Sequence, residues 1–382
     1  MKLAHLSDLH LGKRMYEFSL LEDQRYILKQ MIHILEEEKP DAVLIAGDIY
    51  DKPSPPVEAV ELFDDFLVSL TELETSVFVI SGNHDSPERL AFGGRLMSRS
   101  GVYMAPVYQG EVRPVSLRDK WGSVNIYMLP FLKPAHVRRW YPEEAIASYT
   151  EALAAAVAHM RVSPGERNVL LTHQFVTGAV PSDSEEISVG GTEQVDGAVF
   201  DVFDYVALGH LHRAQPVGRE TMRYCGTPLK YSFSEAEGEK SVTVAELGEK
   251  GKIDIRTIPL TPLRDLRERK GTYEEVTAGA GAAAWEGPVK SNDYLHIILT
   301  DEEDILEAVR RLRIFYPNLM KLDYDNRRTR GGGEIVPASD LEKKTPLELF
   351  AEFYEKQNNQ PMSGEQARFV ADCIRRIWEE EA

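Results

Sequence analysis

Cysteine is scarce in this chain: two in 382 residues, Cys225 and Cys373, too far apart to form a metal-binding pair. That excludes a disulfide framework and a thiolate metal centre, and leaves two free, buried thiols as the expectation. Long apolar runs are missing as well, with no stretch near the roughly 18 unbroken residues that a membrane span needs. The opening MKLAHLSDLHLG acquires Asp8 and His10 before a signal-type apolar core can develop, so a cytoplasmic protein is expected. Positive charge is in deficit. Against 62 Asp and Glu stand 44 Lys and Arg, a formal net charge of −18. Such a balance excludes coating of DNA by bulk charge; it leaves room for a local basic groove, bound metal ions or a partner that supplies the positive surface. There is no Walker-type phosphate loop and no internal repeat.

What is present reads as a layered α/β protein. The length suggests about two domains, and 43% hydrophobic content supports a sizeable core. The runs KLAHLS, DAVLIAG, SVFVIS, VNIYMLP, NVLLTH and YVALGH are short and aliphatic, and each ends in Gly, Asn, Asp, His or a similar breaker. They are predicted as buried strands. Helical patterns lie between them, before Pro40, after Pro55 and Pro56, and after Pro142. KSVTVAELGEKGKIDIRTIPL reads as a hairpin. Beyond PLTPLRDLRERKGT the character changes. AGAGAAAWEGP is a small-residue loop, and DYLHIILTDEEDILEAVRRLRIFYPNLMKLDYD predicts strand, helix, strand. NRRTRGGGEIVPASDLEKK is a Gly-rich basic connector, and two amphipathic helical segments close the chain.

Five of the predicted strands end in groups that can bind metal. They offer Asp8 and His10; Asp48, with Asp51 further out; Asn83, His84 and Asp85; His173; and His210 with His212. Loops beyond strand C-termini form the crevice in which sites of layered α/β folds assemble. Carboxylate, imidazole and amide donors suit Mn²⁺, Fe²⁺ or Zn²⁺ rather than a soft thiolate site. A carboxylate such as Asp48 can bridge two ions about 3.5–4 Å apart, and such a pair orients phosphate and activates water. Taken singly, each cluster has a plainer reading: DLH as a capped strand end, GDIYD as a turn, GHLH as a solvent-facing strand end. Five of them in order, each at a strand end, point to phosphoester hydrolysis.

The ordered set D-x-H, GD-x-x-D, GNHD, H and GHLH resembles the calcineurin-like metallophosphoesterases. AHLSDLHLGK, LIAGDIYDKPSPP, ISGNHDSPERL, LPFLKPAHVR, ALGHLHRAQ and YCGTPLKYSFSE are most similar to the SbcD branch, nuclease subunits of bacterial double-strand-break repair exonucleases. The resemblance implies a four-layer α/β/β/α sandwich over residues 1–262 and a smaller α+β DNA-capping domain over 263–330. Residues 331–382 would be a linker and C-terminal helices for docking an ATPase. It also implies two divalent metal ions, with Mn²⁺ the expected ion. Asp8, His10, Asp48 and His212 would hold one ion; Asp48, Asn83, His173 and His210 would hold the other. His84 would protonate the leaving oxygen or stabilise the transition state, with Asp85 orienting it. Archaeal and eukaryotic relatives carry histidine where this chain has Asp51, which leaves Asp51 a supporting or phosphate-side role. DNA, an SbcC-type coiled-coil ATPase and a second copy of the chain are the implied partners, with dimer contacts assigned to the helices after Pro56 and after GNHDSPERL.

Two rival readings remain. A phosphatase or cyclic-nucleotide phosphodiesterase shares the chemistry but leaves about 120 further residues, a domain's worth, without a purpose. A catalytically silent scaffold would be expected to have lost at least one donor. His5 is expected in the core, and His33, His136, His159 and His296 have no donor spacing around them. The basic clusters VRRW, DLRERK, VRRLR and NRRTR read equally as phosphate contacts and as solvated faces.

Overall fold

The first apolar run forms β1 (Lys2–Leu6), and helix α1 (Leu21–Glu38) leads to β2 (Ala42–Ala46). Helix α2 (Val57–Glu72), β3 (Ser76–Ile80) and β4 (Val102–Met104) follow. β5 (Val115–Asp119) and β6 (Gly122–Leu129) pair as a hairpin ahead of helix α3 (Tyr149–Ala158) and β7 (Arg167–His173). β8 (Tyr205–Gly209), β9 (Gln215–Val217), β10 (Arg219–Tyr224), β11 (Lys240–Leu247) and β12 (Ile253–Leu260) complete the first of two units, Met1–Leu266. The structure is a computed structural model that describes residues 1–185, 193–278, 291–330, 345–358 and 361–380.

The unit holds two six-stranded sheets, ordered β12-β11-β1-β2-β3-β4 and β9-β10-β8-β7-β6-β5. In the first sheet β1 to β4 run parallel, and the β11–β12 hairpin joins β1 antiparallel. In the second, β6, β7, β8 and β10 run parallel between antiparallel edges β5 and β9. Their central strands are buried along their whole length, as AVLIA in β2 and RNVLLTH in β7. Continuous apolar runs of this kind belong to sheets covered on both faces.

Leu3, Leu44, Phe78 and Ile80 from the first sheet meet Val124, Ile126, Leu171 and Tyr205 from the second in one shared core. Outside the second sheet, Leu170, Val206 and Leu208 pack with Ala152, Leu153 and Ala156 of α3. Outside the first, α1 buries Ile27, Leu28, Met31 and Leu35, and α2 buries Leu62, Phe63, Phe66 and Leu70. Each fully buried large aliphatic or aromatic side chain contributes about 1.5–3 kcal/mol. The layers are therefore α/β/β/α, as expected.

Four local expectations change. Helix α3 starts at Tyr149 rather than at Pro142, because Ser148 and Glu151 form a reciprocal capping box that fixes the start there. GNHDSPERL itself ends in the four-residue turn Pro87–Leu90, and no long helix follows it, only the short turn Gly94–Met97. DLRERKG, read only as a basic cluster, supplies strand β13 (Leu266–Gly271). NRRTR begins not as loop but as a helical turn, Arg327–Arg330, whose Thr329 N–H donates to Asn326 Oδ1 at 3.1 Å.

The second unit, Arg267–Ala382, contains helix α4 (Tyr273–Ala278), β14 (Tyr294–Leu299), helix α5 (Ala308–Leu312) and β15 (Leu319–Tyr324). β13, β14 and β15 form one sheet, with β14 and β15 parallel. Val276, Leu295, Ile297, Leu312 and Tyr316 make its core. Helices α6 (Pro346–Asn358) and α7 (Gly364–Glu380) follow. The small-residue loop at 279–288 and most of the Gly-rich connector, 331–344, lie outside the described residues. Among the described residues no helix is long and apolar enough to cross a membrane.

One ion pair ties the far end of the second sheet. Arg167, on β7 and 3% exposed, gives both terminal nitrogens to Asp119 at the β5 turn and donates to the carbonyls of Gly122 and Gly248 at 2.8 and 2.9 Å. The Arg167 hydrogen bonds hold the Asp119 carboxyl well below the ordinary carboxylate range. Because the folded value is depressed, the stabilisation is complete above the unfolded value of about 3.9 and fades as pH falls through the folded one. Asp119→Ala is expected to cost about 3 kcal/mol near pH 7 by stranding a buried guanidinium. In urea unfolding, the gap to the parent should narrow steadily below about pH 4; a gap independent of pH would refute the assignment.

Candidate metal centre

Asp8 and His10 follow β1, Asp48 follows β2, Asn83 and His84 follow β3, His173 ends β7, and His210 and His212 follow β8. The strand ends are tied side by side: Asp8 N–H donates to Gly47 O and His10 N–H to Asp48 O, both at 3.0 Å. His210 N–H donates to Asp8 Oδ1 at 3.1 Å, which links the two sheets. Close approach of the backbones requires glycine. A Cβ on Gly209 would lie 1.9 Å from Ala46 O, and one on Gly82 would lie 2.0 Å from Asp48 Oδ1.

Four of these residues sit in left-handed backbone: Asp8 at φ 53°, His10 at 45°, Asp48 at 49° and His210 at 105°. Each such conformation costs a non-glycine residue of order 1–3 kcal/mol and persists only where the surroundings impose it. Their concentration at a single crevice marks it as a built site.

The donor atoms fall into two neighbourhoods. In one, His10 Nε2 and His212 Nε2 face each other at 3.1 Å, with Asp8 within reach of both. In the other, His173 Nε2 and His210 Nδ1 each lie 3.0 Å from Asn83 Oδ1. Asp48 stands between them, its Oδ2 3.7 Å from His10 Nε2 and 3.4 Å from His173 Nε2. Three compact groups result: Asp8, His10 and His212; His10, Asp48 and His84; Asp8, Asp48 and His173. All except His84 are buried.

Hydrogen bonds on the far side of the His173 and His212 rings bear on which nitrogen faces inward. His173 Nδ1–H donates to Ala46 O at 2.8 Å, and His212 Nδ1 is hydrogen-bonded to Ser184 Oγ at 2.6 Å. Such back-side partners set the tautomer and orientation of metal-binding histidines. Burial opposes charge on His173, but the Asp48 carboxylate outweighs it and raises the imidazole to about 9. Burial likewise opposes charge on Asp48, where His173 prevails and holds the carboxyl low. Burial pushes Asp8 up to about 6 and His210 down to about 3. Asp48 therefore stabilises positive charge at His173, whereas burial disfavours it on His10 and His210. The buried His and Asp cluster fits a dimetal centre.

His84 lies at the mouth, its Nε2 4.0 Å from Asp48 Oδ2 and its ring edge-on to His10. Its Nδ1 meets the Asp51 main-chain carbonyl at 3.1 Å. That carbonyl orients the ring, a task expected of Asp85. The Asp85 carboxylate instead accepts the N–H groups of Ile49, Tyr50 and Gly82 at 3.1, 3.0 and 2.9 Å. It braces the Asp48 and Asn83 loops against each other. The Asp51 side chain pairs with Lys13 Nζ at 2.7 Å and lies 3.8 Å from His10 Nδ1.

Several supporting groups were not singled out from sequence. Gln24 Nε2 donates to His10 O at 2.7 Å, and the Tyr231 hydroxyl donates to Leu9 O at 2.6 Å. Ser184, Glu185, Glu235 and Lys240 surround His212. Strand-end position could have flagged none of them, because none follows the C-terminal end of an apolar strand. The remaining histidines lie elsewhere. His5 meets the Tyr205 hydroxyl in the core, His33 is exposed beside Glu36 and Glu37, and His136 helps cap a short helix. His159 pairs with Glu144, and His296 bridges Glu268 and Asp323 in the second unit.

Residues 1–214 match the calcineurin-like phosphoesterase family, and residues 262–358 match a family described as the type 5 capsule protein repressor C-terminal domain. The SbcD subunit of the SbcCD nuclease of Staphylococcus epidermidis is 31% identical over 388 residues, spanning the full length of both chains. Among solved structures, a dimetal phosphatase from Danio rerio aligns at 11% identity with a TM-score of 0.42, over 69% of this chain and 98% of its own. A Thermus thermophilus protein aligns at 12% identity with a TM-score of 0.35, over 67% of this chain and 98% of its own. By the match of its first 214 residues and its end-to-end kinship with the staphylococcal nuclease subunit, the chain belongs to the calcineurin-like phosphoesterases, in their SbcD branch.

Proposed function

We propose that this protein is a two-metal phosphodiesterase that cuts DNA together with an SbcC-type ATPase. The observation that carries the reading is the convergence of seven donor side chains on one crevice, in a chain collinear with an SbcD nuclease subunit. Asp8, His10, Asp48 and His212 would hold one ion, and Asp48, Asn83, His173 and His210 the second, with Mn²⁺ the expected metal. Two divalent ions supply Lewis acidity toward water and neutralise charge on the phosphoryl oxygens. The protein's part is placement. Asp48 Oδ2 sits between the two positions, and Asp85 keeps the Asp48 and Asn83 loops in register. His84, partly exposed and held by the Asp51 carbonyl, is placed to donate to the leaving oxygen or a phosphoryl oxygen. Lys13 neutralises the Asp51 carboxylate, leaving it a supporting role.

The second unit is assigned to capping the DNA over residues 263–330, and helices α6 and α7 to docking the ATPase. Phe350, Phe353 and Phe369 are exposed on those helices. A homodimer is assigned to α2 and the turns after GNHDSPERL, where Val57, Val60, Phe92 and Leu96 are exposed. The activity is expected as exonuclease on duplex ends and endonuclease on hairpins and single strands, in the cytoplasm. Of the basic clusters, Arg267 pairs with Asp293 and Arg310 with Glu307.

End-labelled duplex and hairpin DNA, incubated with the chain and Mn²⁺, with and without an SbcC-type partner, tests the reading. Cleavage that a chelator abolishes is the expected result. Hydrolysis of a small aryl phosphate with the DNA left intact would instead establish the phosphatase alternative.

A further inference from the structure

The least expected group at the site is Ser184, in the segment between β7 and β8. Its Oγ lies 2.6 Å from His212 Nδ1 and donates to Glu235 Oε1 at 2.7 Å. Glu235, 6% exposed, is held in turn by the buried Lys240 Nζ, which also donates to His212 O at 2.8 Å and to Thr227 Oγ1 at 2.6 Å. The neighbouring Glu185 accepts the His212 main-chain N–H at 2.6 Å and binds the Ser182 N–H at 2.7 Å with its other oxygen. Asp183 N–H donates to Ser234 Oγ at 3.0 Å, beside Glu235. His212 is thus grasped at its ring nitrogen, its amide and its carbonyl by one network. The Ser184 and Glu185 contacts come from a single short turn.

We infer that Ser184 is a positioning residue for His212: through the relay to Glu235 and Lys240, the Ser182–Glu185 turn sets the tautomer and angle of that ring and so the affinity of one metal position. The physical case is direct. A neutral imidazole carries one N–H, and whichever nitrogen holds it cannot bind a metal. At 3.8 Å the Glu235 carboxylate is too far to take the Nδ1–H itself, and the serine hydroxyl fills the gap. A hydroxyl committed to an anionic acceptor presents its lone pairs to the ring. Nδ1–H is then the favoured tautomer, and Nε2 is left facing His10 Nε2 at 3.1 Å. His173 obtains the same result from a fixed strand carbonyl, Ala46 O. The two positions therefore differ: one ring is held by a strand carbonyl, the other by a side chain from a turn.

This inference rests on His212 serving as a metal ligand, and the experiment separates the two claims. Mn²⁺ is titrated calorimetrically into the full-length chain, its Ser184→Ala variant and its Ser184→Thr variant. The ring tautomer of His212 is read by ¹⁵N NMR in the metal-free proteins. The parent is expected to bind two ions. Ser184→Ala should weaken one of them by about 10- to 100-fold and spare the other, and Ser184→Thr, which keeps the hydroxyl, should restore it. The metal-free parent and the threonine variant should show Nδ1–H, and the alanine variant should lose that preference. Two ions in the parent with an unchanged titration of Ser184→Ala would overturn the inference alone. Fewer than two ions in the parent would overturn the metal assignment and this inference with it. If Ser184→Ala does not fold, an Nε2–H tautomer in the metal-free parent would be sufficient refutation.

Discussion

Asp48→Ala is expected to empty both metal positions and bring hydrolysis below detection. Asp48 Oδ1 is committed to the His84 N–H at 2.9 Å, which turns Oδ2 toward the crevice, 3.7 Å from His10 Nε2 and 3.4 Å from His173 Nε2. The other carboxylate in reach, Asp8, has its oxygens partly spent on Ser7 and the His210 amide. Removing Asp48 also strips His173 of the anion that raises its imidazole. Metal content by mass spectrometry should therefore fall from two ions toward none, and the Mn²⁺-dependent rise in melting temperature should vanish with it. A variant that retains both ions would refute the bridging role.

His84→Ala is expected to do the reverse, sparing the metals while removing turnover. His84 is the one imidazole of the cluster that is not buried, and its contacts are to the Asp51 carbonyl and the face of His10. Truncation leaves the buried donors and their back-side hydrogen bonds untouched. The loss of a general acid or transition-state donor typically costs about 10²–10⁴ in rate. A fall of that size in kcat on DNA, with two ions still bound and little change in melting temperature, is the expected pattern. Loss of an ion in this variant would show that His84 is itself a ligand.

The strand-end donors were legible because two signals coincide there. Each follows a mainly apolar run, and each breaks that run with residues that do not close a core strand cheaply. AVLIA followed by Gly47 and Asp48, and NVLLT followed by His173, are cases where packing and chemistry meet at one residue. The supporting network had no such signature. Ser184, Glu235 and Lys240 lie 28, 23 and 28 residues from His212, and each is an ordinary polar residue in sequence. Asp85 was visible, but its task was not, since three main-chain N–H donors leave no trace in side-chain identity. Strand β13 was missed for another reason. Its unbroken run of charged residues looks like a solvated cluster until Arg269 is seen bonded to Tyr316 in the core of the second unit. Helix α3 was placed too early because proline is a permissive start signal, whereas the Ser148–Glu151 box is a committed one.

The two-sheet origin of the centre has a mechanical consequence. Asp8, His10, Asp48, Asn83 and His84 ride on the first sheet, and His173, His210 and His212 ride on the second. Neither sheet owns a complete donor set, so each bound ion would also be a rivet through the seam between the layers. Slippage of one sheet over the other by a fraction of an ångström would dismantle catalysis before it disturbed the fold. For this molecule, the tightness of the shared core around Phe78 and Tyr205 is the tolerance to which the active centre is machined.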